Sequence, residues 1–280
     1  MTQPLFNIVV VLYKKMPNQS STLTSLSRVE ENTKASIRLT IRDNSPQPIP
    51  DNEMEVLNGL LKGIHYEYRH HDGQNVSLSR IYNESIKELK EEEYLVIFDD
   101  DSEFSDGFFT TALKSIKEHP DCDLFLPVVN YGKQIVSPAY MWYFKGHFLK
   151  EVLPGMMPCK NITAINSGMV ISARYLKHGY EGYDERIRFY GTDCDFMCRY
   201  TASHSHLCVL DYHTHHTLNY YEDDEPFQKA SARYKDQRRG LFILMKRQGF
   251  FIYALTHAYW FVFSLKYALR KRDIRYIFIK

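Results

Sequence analysis

Apolar residues along the chain fall into short blocks separated by polar, turn-forming stretches. The first block, Ile8-Val9-Val10-Val11-Leu12-Tyr13, is β-branched and uninterrupted, the pattern of a central parallel strand covered on both faces. A polar loop over Lys14–Ser20 follows, then a helix over 21–33 and a second strand over Ser36–Ile41 that leaves through Arg42-Asp43-Asn44-Ser45-Pro46. A third strand, Ile64–Arg69, leads into His71-Asp72-Gly73-Gln74-Asn75 and a helix over 77–91. Then Tyr94-Leu95-Val96-Ile97-Phe98 runs straight into Asp99-Asp100-Asp101. This alternation predicts an α/β fold with a doubly wound parallel sheet. Ligands of such sheets sit beyond the carboxyl ends of the strands, where Asp43, Asn44, Asp72 and the three aspartates fall.

Beyond residue 101 the pattern loosens. Asp123–Val129 reads as a strand, and 131–161, rich in Gly, Pro and aromatics, as an irregular and partly mobile segment. Ala164–Ser172 reads as another strand and Thr192–Tyr200 as the start of a helix. From Pro226 the composition shifts to two helical segments separated at Gly249, which places a boundary near Glu225: a principal domain over 1–225 and a helical extension over 226–280. At 280 residues and 44% hydrophobic content, the chain can bury one large core plus an appendage.

Lys plus Arg number 35 and Asp plus Glu 34, so no global charge recruits nucleic acid. Five cysteines without a CxxC pair argue against a disulfide framework or a zinc ribbon and fit a reducing cytoplasm. Leu5–Tyr13 lacks the basic flank and small-residue cleavage site of a leader.

Three groups carry chemistry. Asp99, Asp100 and Asp101 crowd like charges into one turn, and each ionised neighbour raises the pKa of the others. Mg²⁺ or Mn²⁺, held by one or two carboxylates and phosphate oxygens, resolves that conflict; a solvated acidic loop is the plain alternative. Gly191-Thr192-Asp193-Cys194-Asp195-Phe196 puts carboxylates at the positive end of a helix dipole. There Asp193 serves either as a general base or as a helix cap. Five histidines, His204, His206, His213, His215 and His216, fall within thirteen positions, and one of them is a candidate to complete a metal site begun by the aspartates. A zinc set of Cys194, Cys198, Cys208 and His213 matches no common spacing.

In order, these pieces resemble the inverting GT-A-fold glycosyltransferases of family 2 over residues 5 to 220. They comprise an opening apolar strand, a strand ending in Asp-Asn-Ser, a helix with an Asn-rich entry, Asp-x-Asp after a strand, and Gly-x-Asp-x-Asp-Phe. The resemblance implies a nucleotide-sugar half over 1–101 and an acceptor half over 102–225, with 131–161 on the acceptor side. It implies that Tyr13, Asp43, Asn44 and Asp100 line the nucleotide, that Asp99 lies near the ribose and metal, and that Asp101 ligates the metal. Asp193 would be the base, His216 or else His213 the histidine approaching the metal, and Asn166, Ser167, Gly168 and Asp195 the acceptor side. The family places Glu immediately before the base, where this chain has Thr192. The Arg-Asp-Asn exit of the second strand and the His-x-x-His pattern near the end are similar to rhamnosyltransferases of bacterial surface polysaccharide or O-antigen assembly, although galactofuranosyl and hexosyl transferases share the skeleton. The departure at Thr192 also leaves open a non-catalytic, nucleotide-binding scaffold.

The implied partners are a nucleotide-sugar donor and a saccharide acceptor, lipid-linked or free, with a homo-oligomer also open. Phe250–Leu265 is a sixteen-residue apolar run with a central His257, short of the ~20 residues a spanning helix needs. Lys266, Arg270, Lys271, Arg272, Arg275 and Lys280 follow it. That combination predicts peripheral docking at an anionic membrane, on the cytoplasmic face. Packing against the main domain or a twin subunit is the competing expectation.

Overall fold

The computed structural model describes residues 5–215 and 226–279. Four parallel strands, β1 (Leu5–Leu12), β2 (Ile37–Asp43), β3 (His65–His70) and β4 (Glu93–Asp99), form one half of the main sheet in the order β3-β2-β1-β4. The second half is mixed. β5 (Leu124–Tyr131) is followed by β6 (Gln134–Ser137), β7 (Ala139–Trp142), β8 (Lys145–Phe148), β9 (Gly155–Pro158), β10 (Ile162–Thr163), β11 (Met169–Ser172) and β12 (His206–His215). The sheet runs β3-β2-β1-β4-β11-β5-β12-β9 with β6 on β5, and β10-β7-β8 form a small separate sheet.

Period-two alternation assigns each strand residue to one of two cores. Phe6, Ile8, Val10 and Leu12 of β1, with Val96 and Phe98 of β4, point to one face; Val9, Leu95 and Ile97 point to the other. The first face is covered by α1 (Ser21–Ser27) through Leu23 and Leu26, α3 (Asp51–Leu60) through Leu57, and α5 (Gly107–Glu118) through Phe108, Phe109, Ala112 and Ile116. The short α2 (Glu31–Lys34) lies between α1 and β2. The second face is covered by α4 (Leu78–Glu88), α6 (Ala173–His178) and α7 (Thr192–Ser203), through Ile81, Tyr82, Tyr175, Phe196 and Tyr200. The sheet is therefore wound on both sides, as its alternating pattern predicts.

Several elements differ from the sequence reading. The helix expected over 21–33 breaks at 28–30, because Val29 turns inward to join the first core and the Glu30 amide donates to Asp106 Oδ1 at 3.1 Å. The segment 131–161 is not irregular: it holds β6 to β9, paired with β5, with one another and with β12. The histidine-rich stretch is itself a strand, parallel to β5 and bulged between Val209 and His213.

The extension is a helical hairpin. α8 (Phe227–Arg247) and α9 (Phe250–Lys271) are joined at Gly249, whose φ of 103° is left-handed and suits glycine. Tyr234, Trp260, Tyr267 and Tyr276 form its own small core, and Leu244 and Met245 pack on Ile187 of the main domain.

Candidate active site

A cleft of about 840 Å³ opens at the carboxyl ends of β1 and β4 and the start of α7. Its floor is the aspartate triplet. The Thr22 hydroxyl donates to the Asp99 carbonyl, the Ser20 hydroxyl donates to the Asp100 carbonyl at 2.7 Å, and the Ser102 amide donates to Thr22 Oγ1 at 3.0 Å. The first turn of α1 thus fixes the triplet's backbone and leaves its carboxylates turned to the cleft.

The three carboxylates are not equivalent. Asp100 is paired with Lys15 Nζ at 2.8 Å. Asp101 Oδ1 is buried with no hydrogen-bond partner, which is costly for an anionic oxygen unless something binds it. Burial, followed by the charges of Asp101, Asp100 and Asp193, pushes Asp99 up to about 7. Asp100 is also raised by burial, with Lys15 opposing.

Asp193 comes to the same cleft from nearly a hundred residues away. The helix-cap alternative does not hold: Gly191, with φ 94°, is the N-cap of α7 and no side chain caps that end. Asp193 lies inside the first turn, and its Oδ1 accepts from the Cys194 amide at 2.7 Å. Burial raises its pKa while that amide opposes the rise. Thr192 is buried, and its hydroxyl accepts from Asn166 Nδ2 at 2.8 Å. A neutral hydrogen bond therefore orients the residue before Asp193, where the family pattern has a carboxylate.

Tyr13, Asn44 and Asn166 line the cleft, whereas Asp43 stands behind it. Asp43 is buried and accepts from the Ser45 amide at 2.9 Å and the Tyr68 hydroxyl at 2.6 Å, holding the turn that presents Asn44. Ser167 and Gly168 lie off the cleft, beside Phe98, Ser102 and Tyr212, with the Ser167 and Ser102 hydroxyls bonded. Asp195 points away from the cleft: it is 1% exposed and bridges Arg199 and Arg247, the latter also reaching Asp184. It is not among the residues lining the cleft, and its pair with Arg247 fastens the hairpin. His213 lies in a separate groove beside Gln19 and Arg28, its Nδ1 3.1 Å from Asn130 Nδ2. His216 lies outside the described residues.

The sequence reading missed one wall. α8 lines the cleft with Lys229, Ala232, Arg233 and Asp236, and the segment before α7 adds Arg188, Phe189 and Tyr190. Asp236 Oδ2 accepts from the Phe189 and Tyr190 amides at 3.1 and 3.0 Å. At Gly240 the helix crosses so close that a Cβ would stand 2.4 Å from the Tyr190 carbonyl oxygen. Tyr82, from α4, faces the cleft as well. A basic i, i+4 pair, Lys229 and Arg233, was the available signal for this wall.

Among the described residues no group of three or more His, Cys, Asp or Glu side chains is arranged to hold a metal. That excludes the zinc set of Cys194, Cys198, Cys208 and His213, all of which are described. A hard divalent cation needs only one or two carboxylates beside ligand phosphates, and the unpartnered Asp101 oxygen suits such an ion.

Solved structures with the same architecture decide the fold. The chain superposes on S. aureus TarS 1-349 with a TM-score of 0.58 and 14% identity, over 86% of this chain and 65% of that one. GalNAc-T7 with UDP, GalNAc and Mn²⁺ gives 0.57 and 10%, over 85% and 47%. The chain has the GT-A fold. The mannosyltransferase PcManGT from Pyrobaculum calidifontis, in complex with GDP-Man and Mn²⁺, gives 0.53 and 11%, over 88% and 64%. The chain spans less than two thirds of the length of each of these GT-A neighbours. No family model and no curated protein sequence matches it.

Proposed function

We propose that the protein is an inverting glycosyltransferase that moves a sugar from a nucleoside-diphosphate donor to an acceptor hydroxyl. One observation carries this reading: the Asp99–Asp101 triplet and Asp193 meet in one cleft of a GT-A sheet, and three of those carboxylates, Asp99, Asp100 and Asp193, are held above their ordinary pKa by burial. Tyr13 and Asn44 border the nucleotide. Asp101, with Asp99 beside it, would hold Mg²⁺ or Mn²⁺, which when bound neutralises charge on the departing diphosphate. The basic Lys229 and Arg233 face the same charge from the opposite wall.

Asp193 accepts the acceptor's hydroxyl proton. The freed oxygen bonds to the anomeric carbon as the carbon–phosphate oxygen bond breaks, and the nucleoside diphosphate leaves from the other face. A carboxylate with a raised pKa is a stronger base than an exposed one. The neighbouring structures with UDP, UDP-GlcNAc or GDP-Man support a nucleotide-sugar donor. The resemblance to family 2 supports a role in bacterial surface polysaccharide assembly, with rhamnosyl, galactofuranosyl and hexosyl donors as the set to screen.

The test is a panel of nucleotide-sugars with Mn²⁺, read by donor hydrolysis and by calorimetry of the nucleoside diphosphate. Metal-dependent binding and slow hydrolysis of one donor are expected, both lost in Asp101→Ala. Equal affinity in Asp101→Ala overturns the metal assignment. Binding without any hydrolysis or transfer favours the scaffold reading, which Thr192 first suggests.

A further inference from the structure

The helical extension carries a charge and an apolar surface that the cleft does not use. Between residues 226 and 280 there are thirteen lysines and arginines against two aspartates; the remaining 225 residues hold twenty-two against thirty-two. The near-neutral chain is thus a basic hairpin on an acidic body. Both hairpin aspartates are engaged, Asp236 with the Phe189 and Tyr190 amides and Asp273 with Arg275.

α9 is apolar on two opposite faces. Thr256, Trp260, Ser264 and Tyr267 are buried toward α8 and the 3-10 turn at Ile274–Phe278. On the other side Phe251, Leu255, Ala258, Val262, Leu265 and Leu269 are exposed, at spacings of four, three, four, three and four residues. That is one straight stripe over residues 251–269, about 27 Å long. A helix apolar all round is ordinarily covered all round, and exposed patches of this kind mark interaction sites.

We infer that this stripe lies in the plane of an anionic lipid bilayer, with α9 half-sunk in the headgroup boundary. Charge selects the occupant. Lys266 flanks the stripe, Arg272 follows it, and α9 contains no Asp or Glu. A second copy paired along the stripe would gain no acid on α9 to meet Lys266, whereas an anionic leaflet meets both Lys266 and Arg272. No helix among the described residues is long and apolar enough to cross a membrane, which suits an in-plane helix.

The docked face is mechanically tied to the cleft. α9 packs on α8, α8 lines the cleft, and Asp236 and the Arg247–Asp195 pair fasten α8 to the segment that carries Asp193. At interaxial spacings of about 8–10 Å, the bilayer stands within roughly two helix diameters of the transfer site. An acceptor saccharide carried on a lipid fits that distance; this last step rests on the transferase reading, whereas bilayer docking does not.

Co-sedimentation of the full chain with phosphatidylglycerol or phosphatidylcholine vesicles, at low and high salt, tests the inference. Binding to the anionic vesicles at low salt is expected, weakened by salt and by phosphatidylcholine. The double variant Leu255→Glu/Val262→Glu should lose it at least tenfold, as should Lys266→Glu/Arg272→Glu, with melting temperature and nucleoside diphosphate affinity unchanged. A chain that stays in the supernatant with anionic vesicles overturns the proposal, as does a Leu255→Glu/Val262→Glu variant that binds like the parent. A lipid-free dimer that the same variant converts to monomers overturns it in favour of a second copy. Failure of the parent chain to bind any nucleoside diphosphate with Mn²⁺ would sink the transferase reading and leave the docking result standing.

Discussion

Asp193 and Asp195 sit two residues apart on the first turn of one helix and have opposite fates. Asp193 faces the cleft with the aspartate triplet, and its pKa is raised by burial. Asp195 turns inward, and Arg199 and Arg247 close on it. The cleft and the hairpin anchor thus differ in what compensates the charge. In the anchor the protein supplies the cations itself, and the carboxylate becomes a fastening. In the cleft Lys15 pairs with Asp100, while Asp101 Oδ1 is buried without a hydrogen-bond partner and is left for a proton, a metal or a substrate to meet. Which carboxylates are reactive is decided less by their sequence position than by which are left uncompensated.

The sharpest way to break this contrast is Asp193→Asn. Donor binding should stay nearly intact while transfer slows by about 10²–10⁴-fold, because only proton removal is lost. Single-turnover kinetics beside calorimetry would show it, and retained turnover would remove Asp193 from the chemistry.

A smaller effect comes from pH in the metal-free protein. Asp99 is pushed up to about 7, so between the ordinary carboxylate range near pH 4 and about pH 7 the folded chain holds a proton that the unfolded chain has released. This component of stability is present at low pH and is lost as pH rises through 7. In chelator, Asp99→Asn should therefore melt higher than the parent above pH 7, by an amount on the order of a few kcal/mol, and match it near pH 4. An equal difference at both ends would mean the gain is packing, not charge.

The smallest effect is on the anchor. Asp195→Asn leaves Arg247 short of a partner, and since that arginine is one third exposed, the loss should be about 1–2 kcal/mol, below the cost of breaking a fully buried pair. Faster proteolysis between the two regions, with Mn²⁺-dependent nucleotide binding retained, is the expected signature. Loss of nucleotide binding instead would place Asp195 back in the site.

The parallel half of the sheet was legible because its evidence is local: β-branched runs, turn-rich exits and three consecutive aspartates each declare themselves within ten residues. The hairpin and its break at Gly249 were legible for the same reason. α5 was overlooked although Phe108, Ala112 and Ile116 repeat at helical spacing after Ser105-Asp106, an ordinary helix-start signal. The strands in 131–161 are short and pair with distant partners such as β12, so their order is tertiary and the sequence there resembles a loop. The α8 wall and the diversion of Asp195 were hidden for a related reason. Contacts such as Arg247 to Asp195, 52 residues apart, leave no periodic trace. Position in a motif said where Asp195 lies along the chain but not which side of the helix would be claimed by an arginine from elsewhere.

The crossing at Gly240 makes the depth of the cleft a matter of one hydrogen atom. The obstacle to a side chain there is the carbonyl of Tyr190, three residues before Asp193, and backbone cannot swing aside as a flexible side chain can. A methyl group at that point would act as a wedge, levering the long helix away from the segment that carries Asp193 and widening the gap between the basic wall and the acidic floor. Residue 240 in this sense sets the width of the cleft between the two walls.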